Sequence, residues 1–180
     1  MRVIAGELGG RRLQAPRGRA TRPTSDRVRE ALFAMLEDLG GARVLDLYAG
    51  SGALGVEAIS RGAAEAVFVE RDGPALRSLR ANLEALGLAA PRAQVRRGDA
   101  LAALQSARRR KEKYDLIFID PPYSQAGELG APLSAALPAL LEPAARVVVE
   151  SDRRTPLLLE LALDRERRYG DTTLRIHQHQ

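Results

Sequence analysis

The chain has 180 residues, 45% of them hydrophobic, a single-domain length with enough apolar side chains for a real core. It has no cysteine and no apolar run of membrane-spanning length, which excludes a disulfide framework, a thiolate metal site and a helical membrane span. The net charge is +5, and among 28 basic residues only Lys111 and Lys113 are lysine, a bias toward the side chain that grips phosphate in two places and stacks on bases. No signal-peptide pattern follows Met1, so the expected setting is the reducing cytoplasm.

Residues 1–14 alternate enough for a short β-hairpin turning near Glu7 to Gly10. Residues 15–23 carry Pro16, Gly18 and Pro23 and read as a loop. Arg2, Arg11, Arg12, Arg17, Arg19 and Arg22 make this leader basic, and Arg27 and Arg29 extend it against only Glu7 and Asp26. Such a stretch is the electrostatic footprint of a nucleic-acid contact. A compositional bias toward Arg and Ala is the other source of the same pattern. Residues 1–23 are therefore expected to be an RNA-contacting hairpin and loop, and 24–180 the catalytic domain. Thr24 suits the cap of a helix running to about Leu39, with Asp26 in its first turn and Gly40-Gly41 as its stop.

From there strands and helices alternate. Strands are expected at 43–47, 66–70, 92–97, 115–119 and 145–150, and helices at 53–61, 73–86, 100–110 and 127–141. This alternation predicts an α/β fold, a doubly wound and mostly parallel sheet. Residues 156–162 read as a further helix. Arg165–Tyr169 and Thr172–His177, split by Gly170-Asp171, read as a closing antiparallel hairpin. His177 and His179 belong to that last strand and its tail, and no metal site is expected. Arg108-Arg109-Arg110-Lys111 ends a helical pattern, where cations suit the helix dipole.

Four motifs carry chemistry. Val44 to Gly55 is a strand running into a glycine loop and then a helix. Gly50 and Gly52 allow a tight turn and close approach to a ligand, with Tyr48, Ala49 and Ser51 beside them. Glu70, followed by Arg71, ends the next apolar run roughly twenty residues on, where an acid takes both ribose hydroxyls in a nucleotide-binding βαβ unit. The glycines also fit a dinucleotide site, and an oxidoreductase is the rival reading. Asp46 inside the strand favours instead a ligand with a positive centre. Asp99, ahead of Ala100, suits an adenine amino group or the cap of the next helix. Asp120-Pro121-Pro122-Tyr123 follows the apolar run Leu116 to Ile119. Its prolines supply carbonyl acceptors without N–H donors, Asp120 adds a carboxylate, and Tyr123 offers a ring for a base. Acceptors beside a ring are what transfer of an electrophilic group to an aromatic exocyclic amine needs.

In this order, D-L-Y-A-G-S-G-A-L-G, V-E-R-D, G-D-A and D-P-P-Y resemble the motifs of class I amino-methyltransferases that use S-adenosylmethionine (SAM). The opening R-V-I-A-G, the G-R-R-L and above all Arg22-Pro23-Thr24-Ser25-Asp26-Arg27-Val28-Arg29-Glu30 resemble the bacterial small-subunit ribosomal RNA guanine-N2 methyltransferases. The resemblance covers nearly the whole chain. It implies SAM as cofactor, 16S rRNA as partner, and a guanine 2-amino group as acceptor, presented on an assembling or assembled small subunit. It implies that Asp46, Tyr48 to Gly52, Glu70, Arg71, Asp99 and Ala100 hold SAM. Adenine-N6 and cytosine-N4 enzymes share D-P-P-Y and stay open as alternatives, as does a non-catalytic RNA-binding module. The absence of cysteine argues against covalent C5 methylation.

Overall fold

A computed structural model of the protein describes residues 1–16, 25–36, 38–122 and 125–179. The expected alternation is present: α1 Asp26–Leu36, β1 Arg43–Asp46, α2 Ala53–Ser60, β2 Glu65–Glu70, α3 Gly73–Ala85, β3 Ala93–Arg97, α4 Ala100–Arg109, β4 Tyr114–Ile119, α5 Ala126–Ala136, β5 Leu141–Asp152, β6 Leu163–Tyr169 and β7 Thr172–Gln178. The strands form one seven-stranded sheet in the order β3-β2-β1-β4-β5-β7-β6. Strands β1 to β5 pair in parallel, and β7 pairs antiparallel with both β5 and β6. The chain winds outward in opposite directions from β1 and β4. This reversal opens a crevice beyond their carboxyl ends, the place where ligands bind in open α/β sheets.

The central strands are buried on both faces, as parallel strands covered by helices must be. One face carries α1, α2, α3 and the N-terminal hairpin, with Leu32, Phe33, Leu79, Phe68 and Phe118 at its centre. The other carries α4 and α5, with Leu104, Leu133, Ile117, Ile119 and Val147. Each such side chain contributes roughly 1.5–3 kcal/mol through burial. Gly55 shows the closeness of this packing: a Cβ there would lie 2.3 Å from the Phe68 ring.

The leader folds back as expected. Val3 N donates to Arg11 O at 2.9 Å, Gly10 N to Val3 O at 2.9 Å and Leu13 N to Met1 O at 3.0 Å. The ladder is short, a single bridge between Arg2 and Arg12. Thr24, the expected cap of α1, lies outside the described residues. Ser25 Oγ accepts from Val28 N at 3.3 Å.

Two expectations need correction. The helix expected over 127–141 ends at Ala136; a 3₁₀ turn, Pro138–Leu140, follows, and β5 already begins at Leu141. Pro138 has no N–H to continue the ladder but fits the first turn of a new helix. β5 is longer than the apolar run because the register jumps from Tyr114↔Leu141 to Leu116↔Arg146, with Ala144 at φ 63 in the bulge. Residues 156–162 are not helical. Leu157 and Leu159 are buried while Leu158 is 60% exposed, a period of two. The segment lies extended on α5. Glu160 N donates to Ser134 Oγ at 2.8 Å, and a Cβ on Gly130 would stand 2.6 Å from Leu158 O. Docking of an extended strap against a small helix residue outweighs local helix propensity.

Candidate active site

The acids that end the apolar strands meet at one edge of the sheet. Asp46 closes β1 and pairs with Phe118 of β4, two residues before Asp120. Ile119 pairs with Val149, so Asp120, just past β4, stands beside Glu150 where the parallel pairing of β4 and β5 ends. By strand alternation Asp46, Asp120 and Glu150 all face the α1 side. Glu150 was not singled out from the sequence. Its signal was present, because it follows Val147-Val148-Val149 as Asp46, Glu70 and Asp120 follow their own apolar runs.

Asp46 is 2% exposed, and its Oδ2 accepts from Gly55 N at 3.1 Å. Burial drives its pKa up to about 7; the Gly55 hydrogen bond opposes this and the charge of Glu70 adds to it. Asp120 is only partly covered, yet its carboxyl is desolvated. Burial first, then the charges of Glu150 and Asp46, hold its pKa well above the usual carboxylate range. A crowded set of acids favours a positive charge arriving among them.

The glycine loop and β2 supply the second half. Gly50 has φ 55 and Gly52 φ 85. A Cβ on Gly52 would strike Leu79 Cδ1 at 2.5 Å, so that position is closed by packing. A Cβ on Gly50 would meet nothing nearer than Tyr48 O at 4.0 Å, so it would project into the open cradle. Ala49 N donates to Val69 O at 3.0 Å, and Gly52 N to Ala49 O at 2.7 Å. Ser51 and Ala49 are buried. Glu70 reaches over the loop: its Oε2 accepts from Gly50 N at 2.8 Å, and its Oε1 from Arg71 N and Asp72 N at 2.8 Å each. Oε2 thus has one bond and room for a hydroxyl donor.

Further along the edge, Asp99 caps α4, its Oδ1 accepting from Leu101 N at 2.9 Å and Ala102 N at 3.3 Å. Its Oδ2 lies 3.8 Å from Arg71 Nη1 and is free to accept from a ligand. Tyr48 stands near both, half-buried. Burial, then Asp99, push its hydroxyl up to about 12 against the pull of Arg71, so it keeps its proton. Ala100 is buried at the start of α4.

In D-P-P-Y, Pro122 O accepts from Gln125 N at 2.9 Å and is spent inside the turn. Pro121 O accepts from no backbone N–H among the described residues. Tyr123 lies outside the described residues, as do Arg17, Arg19 and Arg22. Arg2, Arg11 and Arg12 are exposed. Arg2 lies 3.6 Å from Asp26, and Arg11 Nη2 donates to Ala85 O at 3.0 Å. Arg29, counted with the basic leader in the sequence, is fully buried: it holds Arg2 O at 2.5 Å and Asp26 Oδ1 at 2.7 Å. Among the described residues no group of side chains could hold a metal ion, and no helix is long and apolar enough to cross a membrane.

The family model described as conserved hypothetical protein 95 matches residues 1–178. The chain is 42% identical to the candidate rRNA methyltransferase YlbH of Bacillus subtilis, across 99% of this chain and 98% of that one. It is 33% identical to ribosomal RNA small subunit methyltransferase D of Haemophilus influenzae, across 99% and 93%. The solved structure of the candidate methyltransferase yhhF from Escherichia coli superposes with a TM-score of 0.84 at 35% identity, covering 100% of this chain and 98% of that one.

Proposed function

We propose that this chain, which belongs to the family described as conserved hypothetical protein 95, moves a methyl group from SAM to the exocyclic 2-amino group of a guanine in 16S ribosomal RNA. It is a SAM-dependent rRNA methyltransferase. The observation that carries the finer chemistry is the meeting of Asp46, Glu70, Asp99 and Asp120 around one open glycine loop at the switch point of the sheet.

The residues present fit SAM. The cradle at Gly50 is open, acceptor capacity remains on Glu70 Oε2 and Asp99 Oδ2, and the buried acid Asp46 suits a cation nearby. Glu70 takes ribose hydroxyls. Asp99 accepts from the adenine amino group, with Ala100 N–H beside the ring. Tyr48, Ala49, Ser51 and Arg71 shape the walls. When bound, SAM supplies a methyl on a sulfonium, which leaves as the neutral sulfide when the new N–C bond forms.

The rest is positioning. A nucleobase amine is a weak nucleophile because its lone pair is delocalised into the ring. Asp120 and Pro121 O accept its two hydrogens and aim the nitrogen at the methyl carbon. As the N–C bond forms, positive charge grows on nitrogen, and Asp120 stabilises it within the acid cluster. The raised proton affinity of Asp120 equips it to receive the proton the product nitrogen must shed. Pro122 shapes the turn, and Tyr123 stacks on a base drawn out of its helix.

Residues 1–23, with Arg2, Arg11, Arg12, Arg17, Arg19 and Arg22, contact RNA; residues 24–180 form the methyltransferase domain. The substrate is an assembling or assembled small subunit, met in the cytoplasm. Incubating the enzyme and labelled SAM with small subunits from a strain lacking this activity, then mapping the methylated nucleoside, tests the reaction and its acceptor. A single N2-methylguanine in 16S rRNA is expected. Methyl on adenine N6 or cytosine N4 would replace the guanine assignment with the chemistry that D-P-P-Y also serves.

A further inference from the structure

Asn82 sits in α3, 2% exposed, and serves two segments far from it in sequence. Its Oδ1 accepts from Gln14 N at 2.8 Å; its Nδ2 donates to Gln14 O at 3.0 Å and to Ser51 O at 2.9 Å. Two donors meet two carbonyls and one acceptor meets one N–H, so the amide's orientation is set by its partners. Ser51 lies between Gly50 and Gly52, inside the loop that cradles the cofactor. Gln14 is the last leader residue with a hydrogen-bonded anchor among the described ones before the stretch bearing Arg17, Arg19 and Arg22.

The leader does not need Asn82 to stay on the domain. Glu57, fully buried on α2, accepts from Ile4 N at 2.7 Å and Ala5 N at 3.1 Å. Ser60 Oγ accepts from Leu8 N at 3.0 Å and donates to Ala5 O at 2.5 Å. Val3 and Leu13 are in the core. What Asn82 adds is a link between the leader's exit and the cofactor loop. If Ser51 or Gln14 moves away, a buried amide is left with an unmade bond, which is costly. Each segment's placement therefore favours the other's.

Resting on the function proposed above, we infer that Asn82 is a positioning residue that joins the cofactor loop to the RNA-contacting leader, so that SAM and ribosomal RNA bind with positive cooperativity. By linkage the effect is reciprocal: each ligand tightens the other by the same factor, on the order of 5- to 100-fold for one such bridge.

The test measures that factor. Affinity for S-adenosylhomocysteine, which binds without turning over, is titrated alone and with saturating unmethylated small subunits. The unaltered enzyme should show the tightening. Asn82→Leu, similar in shape but without the amide, should bring the factor close to one. Gln14→Pro removes the N–H that Asn82 accepts and keeps the Gln14 carbonyl, while also fixing the local backbone; it should do the same in part, and, with its fold checked by melting, it decides the matter if Asn82→Leu fails to fold. Glu57→Gln loosens the leader elsewhere and should lower melting temperature while keeping the factor. A factor of one in the unaltered enzyme, or one unchanged in the folded Asn82 and Gln14 variants, overturns the inference alone. An enzyme that binds no S-adenosylhomocysteine overturns the methyltransferase reading as well.

Discussion

The two basic clusters of this chain look alike in sequence and are tied to different parts of the fold. Helix α4, capped by Asp99 beside the carboxyl end of β3, runs back against the strand direction. Arg108, Arg109 and Arg110 therefore finish at the edge away from Asp120. Arg110 is also spent locally, on Glu112 at 2.8 Å and Ser106 Oγ at 2.6 Å. The leader's exit does the reverse. Gln14 is tied to the glycine loop through Asn82. Helix α1, about 16 Å long, has its last turn near Arg146 in the lower part of β5, so Asp26 begins it near the upper edge. Gln14 and Asp26 thus both lie toward the edge that holds the acids. A charge count cannot separate two such clusters; what each is anchored to can.

The sharpest test of that contrast is at the upper edge. Asp120→Ala should lower kcat by about 100- to 1,000-fold, the loss expected when a group that stabilises transition-state charge is removed. Binding of S-adenosylhomocysteine by titration should stay within a few-fold, because Glu70 and the glycine loop face the cofactor. A collapse of cofactor affinity with a near-normal rate would reverse the assignment of the two halves.

Asp46 gives a pH signature to the same edge. Its folded pKa, about 7, lies above the ordinary value of 3.8, so the native state binds more protons than the unfolded state between them. Stability from this group therefore falls as pH rises from about 4 to 7, by up to about 4 kcal/mol. Asp46→Asn keeps an acceptor for Gly55 N–H and removes the charge. Melting across pH 4–8 should show the variant gaining on the unaltered protein as pH rises. SAM affinity of the unaltered enzyme should increase through the same window, as Asp46 ionises to face a cation; a flat profile would place the cation elsewhere.

Glu70→Ala should weaken SAM by about 1–3 kcal/mol, since charged-acceptor bonds to the ribose are left unmade and Gly50, Arg71 and Asp72 lose their shared acceptor. Titration of SAM measures it, with the fold checked by melting. Unchanged affinity would move the ribose partner to Asp72.

The smallest effect is the one that compares the two basic clusters directly. Replacing Arg11, Arg12, Arg17, Arg19 and Arg22 by Gln should flatten the salt dependence of subunit binding by about 0.7–0.9 in log–log slope for each phosphate no longer held. Replacing Arg108, Arg109 and Lys111 should leave the slope where it was. Equal flattening by both sets would erase the distinction between the clusters.

Much of the site is legible in the sequence. Apolar runs ending in Asp46, Glu70 and Asp120 mark strands with acids at their carboxyl ends, because a buried parallel strand needs continuous apolar residues and its end is where polar groups can emerge. The alternation of strands and helices then places those ends on one edge. Arg29 shows where this stops. Within R-P-T-S-D-R-V-R-E it reads as one more leader cation, yet it is buried and holds Arg2 O and Asp26. Residues 156–162 show the same limit, their leucines answering to α5 rather than to a helix of their own.

Sequence by itself determined the period of each element, the breaks between them and the chemical character of each strand end, since these depend on neighbours along the chain. Tertiary structure alone decided which distant groups meet: Glu150 beside Asp120, Glu57 beneath Ile4 and Ala5, and Asn82 between Gln14 and Ser51. Most of those pairings are made with backbone groups that every residue carries, so no side-chain pattern announces them, and only the folded path of the chain brings donor to acceptor.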